Sequence, residues 1–474
     1  MKSTVSTGIL HRTFVNLRGA WRAISQSART SEAPTLRADL PEGDADALRT
    51  QMRECLESKG GEVSSRARAA GLGHSYLNLN DWGRKRFLRI LAEDFGVDWQ
   101  ELHVASRDIP ETESPERALE TEDRLREILT PRRLKLLTRF NSLPEGVKFL
   151  VDMRADLIRY NADDLHLRSL EKDLKGLLVS WFDIGFLELV RITWDSPAAL
   201  LEKLIAYEAV HEIRSWDDLK NRLGADRRCY AFFHPRMPEE PLIFVQVALV
   251  SGISSSIQEL LDETLAPADP DTANTAVFYS ISNTQTGLQG VSFGSFLIKR
   301  VVDRLAQELP GIHTFVTLSP IPGFCGYLES KLREHEEELL TGCDKDVLGP
   351  LIEAAGGRRA LGEALSAPTW CQDRDVARRL KNPLMRICAY YLVHGMTGGR
   401  ALDSVANFHL SNGASVEQIN WLGDVSLKGM QQSLGLMVNY RYHLANIEAN
   451  HEAYRTSGEV TVSGRVKRLL APPK

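Results

Sequence analysis

From about residue 40 to residue 180 the apolar positions recur at spacings of three and four. In "DADALRTQMRECLES" they fall on Leu48, Met52 and Cys55, and in "RFLRILAEDF" on Phe87, Leu88, Leu91 and Phe95. "DDLHLRSLEKDLKGLLVSWF" continues the pattern with Leu165, Leu167, Leu170, Leu174 and Leu178, while acids and bases fill the other positions. That period predicts amphipathic helices packed as an antiparallel bundle. "SPERALETEDRLREIL" starts one of them: Ser114 suits an N-cap, Pro115 the first helical position and Glu116 the positive end of the helix dipole. Arg117 stands where a capping box would need Glu or Gln, so the reciprocal bond is missing.

Near residue 181 the texture changes. "RCYAFFHP" and "PLIFVQVALV" are β-rich runs separated by the turn-like "RMPEE", which predicts a hairpin. "TAVFYSIS" reads as a further strand. It is followed by a glycine-studded loop, a helix beginning near Ser292 and stopped by Pro310-Gly311, and a strand "HTFVTLS" ended by Pro320 and Pro322. "HEEELL", "DRDVARRLKNPLMRICAYYLVHG" and the whole run "VSLKGMQQSLGLMVNYRYHLANIEANHEAY" read as helical. The predicted class is α+β: a basic, disordered tail over 1–35, an all-helical bundle over 36–180, and a mixed α/β domain over 181–474.

Composition narrows the partners. A chain of 474 residues with 43% hydrophobic and 26% charged residues is a globular protein too large for one ordinary core. A net charge of −5 gives no general electrostatic reason to bind nucleic acid or an anionic membrane. The strongly apolar stretch "LIFVQVALV" is far too short to span a bilayer. The six cysteines are scattered without a C-x-x-C pair, which predicts free, mostly buried thiols in a reducing compartment and no metal knuckle. His211, His335 and His451 each precede a glutamate, yet none completes H-E-x-x-H, so no metal is expected. The first 31 residues carry five basic side chains (Lys2, Arg12, Arg18, Arg22 and Arg29) and no acid. Such a segment suits a basic tail on a cytoplasmic protein, and equally a mitochondrial import sequence.

The glycine loop holds the candidate chemistry. In "YSISNTQTGLQGVSFGSFLIKRVVDRL", residues Gly290 to Gly294 spell G-x-S-x-G, and Asp403 and His409 follow in hydrolase order. A nucleophile elbow needs a strand running straight into the turn, however, and polar "NTQTGLQG" intervenes. A phosphate cradle fits better. Gly287 and Gly290 would let the backbone expose successive N–H groups, Gly294 would permit close approach, and the helix start would aim its dipole at the loop. Phe293, Phe296, Leu297, Val301 and Leu305 would form that helix's buried stripe. A plain turn with a helix cap accounts for the same residues, and both readings stay open.

The blocks "HPRMPEEPLIFVQVAL", "FYSISNTQTGLQGVSFGSFLIKRVV", "LSPIPGF", "ANFHLSNGA" and "INWLGDVSLKGMQQSLGLMVNYRY" together resemble the malonyl-CoA decarboxylase family, in order, across most of 181–445. The helical region resembles that family's N-terminal domain through less distinctive sequence. The resemblance implies a catalytic domain of the GNAT acetyltransferase type, with Gln289, Gly290, Val291, Ser292, Phe293, Gly294 and Ser295 on the loop that binds the CoA pyrophosphate. Ser292 stands where the usual Q-x-x-G-x-G pattern has its middle glycine, and where animal members have an active-site glutamate. The family's catalytic serine and histidine fall on Ser319 and His409, and a family tyrosine on Tyr442; Asn407 is a further positioning candidate. The resemblance also implies malonyl-CoA as substrate, no cofactor, and a homotetramer formed through the helical domain.

The chemistry wants these groups. Loss of CO2 from malonyl-CoA leaves a thioester enolate, whose negative charge needs hydrogen-bond donors already in place. The thioester is itself the electron sink. An acid must then protonate C2, and an ordinary histidine titrates in the useful range.

Overall fold

In the computed structural model the described residues are 17, 19–25, 36–57, 61–107, 114–182, 184–291, 297–334, 349, 350, 353, 365 and 368–471. The chain divides into two compact units. One comprises 1–188, 233–242 and 284–292, the other 189–232, 243–283 and 293–474.

The first unit is helical. Helices Glu42–Glu57, Glu62–Asn78, Asp81–Asp94, Arg132–Asn141, Gly146–Tyr160 and Leu165–Trp181 turn their apolar stripes inward. Leu48, Met52 and Cys55 are buried, as are Leu167, Leu170, Leu174 and Leu178. Leu165 departs from the predicted stripe: it is the first residue after the Asp164 cap and is 74% exposed. The core is aromatic at its centre. Phe149 packs against Trp21, Tyr76 and Phe140 with ring centroids 4.7, 5.6 and 5.1 Å away. Trp21 lies within the stretch that composition marks as a tail. It is fully buried and donates its Nε1–H to the Pro144 carbonyl at 2.8 Å, so this part of the stretch is packed. Arg133 is also inside, and each end of its guanidinium has a partner: Asp173 at 2.7 Å, the Ala92 carbonyl at 2.7 Å and Ser169 at 2.7 Å. A buried cation needs that full complement, because desolvation of an unpaired one costs several kcal/mol.

The second unit is built on a mixed sheet of order β1-β2-β3-β4-β5-β10-β6, with β9 also paired to β10. Its strands are β1 (Glu188–Ile192), β2 (Arg227–Phe233), β3 (Ile243–Val250), β4 (Thr275–Asn283), β5 (Thr314–Thr317), β6 (Ser319–Pro320), β9 (Ser415–Asn420) and β10 (Met437–Arg441). The two-residue strands β7 (Met396–Thr397) and β8 (Arg400–Ala401) pair separately. β2 and β3 form the predicted antiparallel hairpin. β3 and β4 are antiparallel, whereas β4 and β5 are parallel with Phe278 opposite Thr317. The connection between that parallel pair contains the helix Leu297–Glu308, whose Leu297, Ile298, Val301, Val302 and Leu305 are buried. Antiparallel strands are thus followed by a parallel pair joined through a helix, which gives the mixed α/β domain that the sequence predicts.

One stretch differs from expectation. The run 425–454 is not continuous helix: helix Leu427–Ser433 stops, β10 follows, and a second helix occupies Ile447–Ser457. Leu434 and Gly435 both have positive φ, 54° and 77°, which ends the helix. The strand then pairs with β5, β6 and β9, so tertiary pairing decides a segment whose apolar spacing is ambiguous. The predicted helix "HEEELL" lies outside the described residues.

Truncating Trp21 removes the largest fully buried side chain of the first unit and its hydrogen bond. Trp21→Ala is expected to cost about 3–5 kcal/mol of unfolding free energy, read as a lowered midpoint in urea.

Candidate active site

Four short elements of the second unit assemble a buried polar row. β5 carries Thr317 and β6 carries Ser319; two residues apart, both project to the same side. β10 lies between these strands, with Arg441 opposite Val316 and Val438 opposite Ser319. Asn439 locks the crossing from its side chain: its Nδ2 donates to the Thr317 carbonyl at 2.6 Å, and its Oδ1 accepts from Asn420 Nδ2 at 2.7 Å. The fourth element is the helix Ser404–Ser411, capped by Asp403, whose Oδ1 accepts from the amides of Val405 and Ala406. Asp403 Oδ2 accepts from Gly323 N at 3.0 Å, tying this helix to the turn after β6.

His409, in the last turn of that helix, faces the strands. Its Nε2 is 3.1 Å from Ser319 Oγ and its Nδ1 is 2.8 Å from the Tyr442 hydroxyl. Tyr440 stacks on the imidazole face, with centroids 4.6 Å apart and planes 23° apart. Ser319, His409 and Tyr442 are 5%, 3% and 2% exposed. The helix C-terminus would favour a positive ring, but burial dominates and pulls the His409 pKa down to about 3. The resting imidazole is therefore neutral, a correction to the expectation that it titrates near neutrality. Burial likewise pushes the Tyr442 phenol well above its ordinary range, so it remains a hydroxyl.

The other candidates are placed as follows. Asn407 Oδ1 accepts from the Tyr454 hydroxyl at 2.9 Å, a partner outside the Ser319–His409–Tyr442 row. Asp403 is engaged by backbone amides, so both ring nitrogens of His409 go to hydroxyls and neither to a carboxylate. This does not supply the Asp–His pair that a hydrolase triad needs. Thr317 and Tyr440 escaped the sequence reading. The signal available was period two, since each stands two residues before a named candidate.

The glycine loop belongs to the first unit as far as Val291, its last described residue. Ser292, Phe293, Gly294 and Ser295 lie outside the described residues. Gly287 is required for packing: a Cβ there would be 1.7 Å from the Val151 carbonyl oxygen. Gly290 is the residue whose backbone needs glycine, at φ +71°, and Lys175 Nζ would be 3.0 Å from a Cβ placed on it. Buried Arg154 holds the loop by donating to the carbonyls of Gly287 at 2.6 Å and Gln289 at 2.8 Å, while Glu171 pairs with it at 2.6 Å. The amides of Gln289 and Val291 bond within the loop, to Thr286 and Leu288. Those two are therefore not the exposed donors expected of a cradle.

Among the described residues no three His, Cys, Asp or Glu side chains converge as a metal site, and no helix is long and apolar enough to cross a membrane. The neutral burial of His409 has a consequence for stability. Its folded pKa lies below its unfolded value near 6.5, so the unfolded chain binds more protons in between, and stability falls as pH drops from about 6.5 towards 3. His409→Gln is expected to remove on the order of 3 kcal/mol of that acid loss between pH 7 and pH 4. Urea unfolding of both proteins at pH 7 and pH 4 measures it, and the difference between them isolates His409 from His211, which burial holds near 4.

Comparison with known proteins agrees with this architecture. Residues 185–474 match the model of the malonyl-CoA decarboxylase C-terminal domain, and 95–182 that of its N-terminal domain. The mitochondrial malonyl-CoA decarboxylase of Anser anser anser is 42% identical over 85% of this chain and 83% of its own length. That of Rattus norvegicus is 42% identical over 82% of each. The crystal structure of malonyl-CoA decarboxylase from Rhodopseudomonas palustris superposes with a TM-score of 0.81 at 44% identity, covering 90% of this chain and 99% of the other. With both regions matched and identity above 40% along most of its length, the chain belongs to the malonyl-CoA decarboxylase family, a family of carboxy-lyases.

Proposed function

We propose that this carboxy-lyase converts malonyl-CoA to acetyl-CoA and CO2 through the Ser319–His409–Tyr442 row. The observation that carries the reading is the neutral, buried imidazole with a hydroxyl on each nitrogen. The C2–carboxylate bond breaks, its electron pair passes into the thioester, and a C2–H bond then forms. Ser319 hydrogen-bonds the reacting malonyl group, and His409 supplies the proton through it as a neutral N–H donor backed by Tyr442. The thioester takes up the electron pair, so the step needs no separate cofactor. Gln289 to Ser295 are assigned to the CoA pyrophosphate on the strength of the family pattern, with Lys175 a neighbouring cation.

Incubation with malonyl-CoA and no acceptor tests this. Acetyl-CoA and CO2 are expected in equal amounts; intact substrate would indicate an acyltransferase, and free CoA with malonate a hydrolase. His409→Ala and Ser319→Ala should each lower kcat about 10²- to 10³-fold. Ser292→Ala should retain turnover, and its complete inactivity would return the glycine loop to the nucleophile reading.

The same family pattern supports a homotetramer assembled through residues 36–180. Light scattering is expected to give a mass near four times the 53.0 kDa chain; a single monomer mass would overturn this assembly.

A further inference from the structure

The direction of the hydrogen bonds around Ser319 is fixed by a residue outside the Ser–His–Tyr row. Thr317 Oγ1 accepts from the Tyr440 backbone N–H at 3.0 Å. A backbone amide can only donate, so one of the two lone pairs on that oxygen is committed by the β5–β10 crossing. The Ser319 hydroxyl donates to the other at 2.8 Å. Serine has a single hydroxyl proton. Once that proton points at Thr317, the 3.1 Å contact between Ser319 and His409 is made by Nε2–H donating to Ser319 Oγ. A neutral imidazole has one N–H, so Nδ1 is bare and accepts from the Tyr442 hydroxyl at 2.8 Å.

We propose that Thr317 is a positioning residue that orders the chain of donors as Tyr442 to His409 to Ser319 to Thr317, and so selects the Nε2–H tautomer of His409. The order is opposite to that of a hydrolase, where serine donates to histidine and becomes a nucleophile. Here Ser319 Oγ is an acceptor from the imidazole, and its own proton is parked on a neighbour that competes weakly with a nascent enolate. In turnover that proton turns from Thr317 to C2 and forms the C2–H bond. Nε2–H refills Ser319 and the Tyr442 hydroxyl refills Nδ1; a proton from water then enters at Nε2 and the Nδ1 proton returns to the Tyr442 phenolate, which restores the starting order. One proton leaves the chain and one returns. This rests on the decarboxylase reading above, because the order has a use only where a carbanion must be protonated.

The test uses the full chain with 15N-labelled histidine and no substrate. The nitrogen shifts of His409, identified by their loss in His409→Gln, are expected to report Nε2–H in the parent. Thr317→Val keeps the side-chain shape and removes the acceptor; it should move His409 towards Nδ1–H and lower kcat about tenfold to a hundredfold with KM little changed. Thr317→Ser keeps the oxygen and should restore both. An Nδ1–H parent, or a Val variant with the parent's tautomer and kcat, overturns the proposal. If Thr317→Val does not fold, the parent's tautomer and the Ser variant still decide. The nitrogen shifts are read without turnover, so a correct tautomer in a chain that leaves malonyl-CoA intact would sink the decarboxylase reading and leave the hydrogen-bond order standing.

Discussion

An imidazole cut off from water, with a hydroxyl at each nitrogen, is the constraint on which the rest of the second unit depends. Burial denies it a charge, and the lack of a carboxylate partner gives nothing to restore one. What remains is a neutral donor–acceptor whose usefulness lies in direction. In water such hydrogen bonds would exchange freely with solvent; inside the sheet each has one partner and one sense.

That direction is built from backbone. β10 runs between β5 and β6, and its amide at Tyr440 and its side chain at Asn439 both reach Thr317. The left-handed pair Leu434–Gly435 ends the preceding helix so that the strand can begin two residues later. Asp403 performs the matching task for the histidine. Its carboxylate caps the helix Ser404–Ser411 and holds the turn that follows Ser319. Burial pushes this carboxyl up, and the backbone amides hold it against that push.

The helical unit solves a different problem with buried guanidinium groups. Arg133 joins a carbonyl in the last turn of helix Asp81–Asp94, a serine and an aspartate, and Arg154 clamps two carbonyls of the glycine loop while Glu171 neutralises it. Arginine suits both positions because its planar fork satisfies several acceptors at once. The loop's shape thus owes as much to a cation beneath it as to its own glycines, and Gly287 serves close packing against Val151 rather than conformational freedom.

The sequence by itself determined the classes of structure: a 3.6-residue period sufficed for the helices with Leu48 to Leu178, and alternation with a turn for the hairpin of β2 and β3. Its long, ordered blocks also carried the family, and through it the choice of Ser319, His409 and Tyr442 as candidates. It did not determine that 425–454 breaks into helix, strand and helix, because "MVNYR" becomes a strand only where β5, β6 and β9 offer it partners. Nor did it reveal that segments 233–242 and 284–292 belong with the helices. Only the tertiary structure decided that a serine and a histidine 90 residues apart stand 3.1 Å from each other, and that a threonine two residues from the serine turns its proton away. Local sequence encodes period and capping; the sense of a hydrogen bond depends on which groups from distant strands are packed against it.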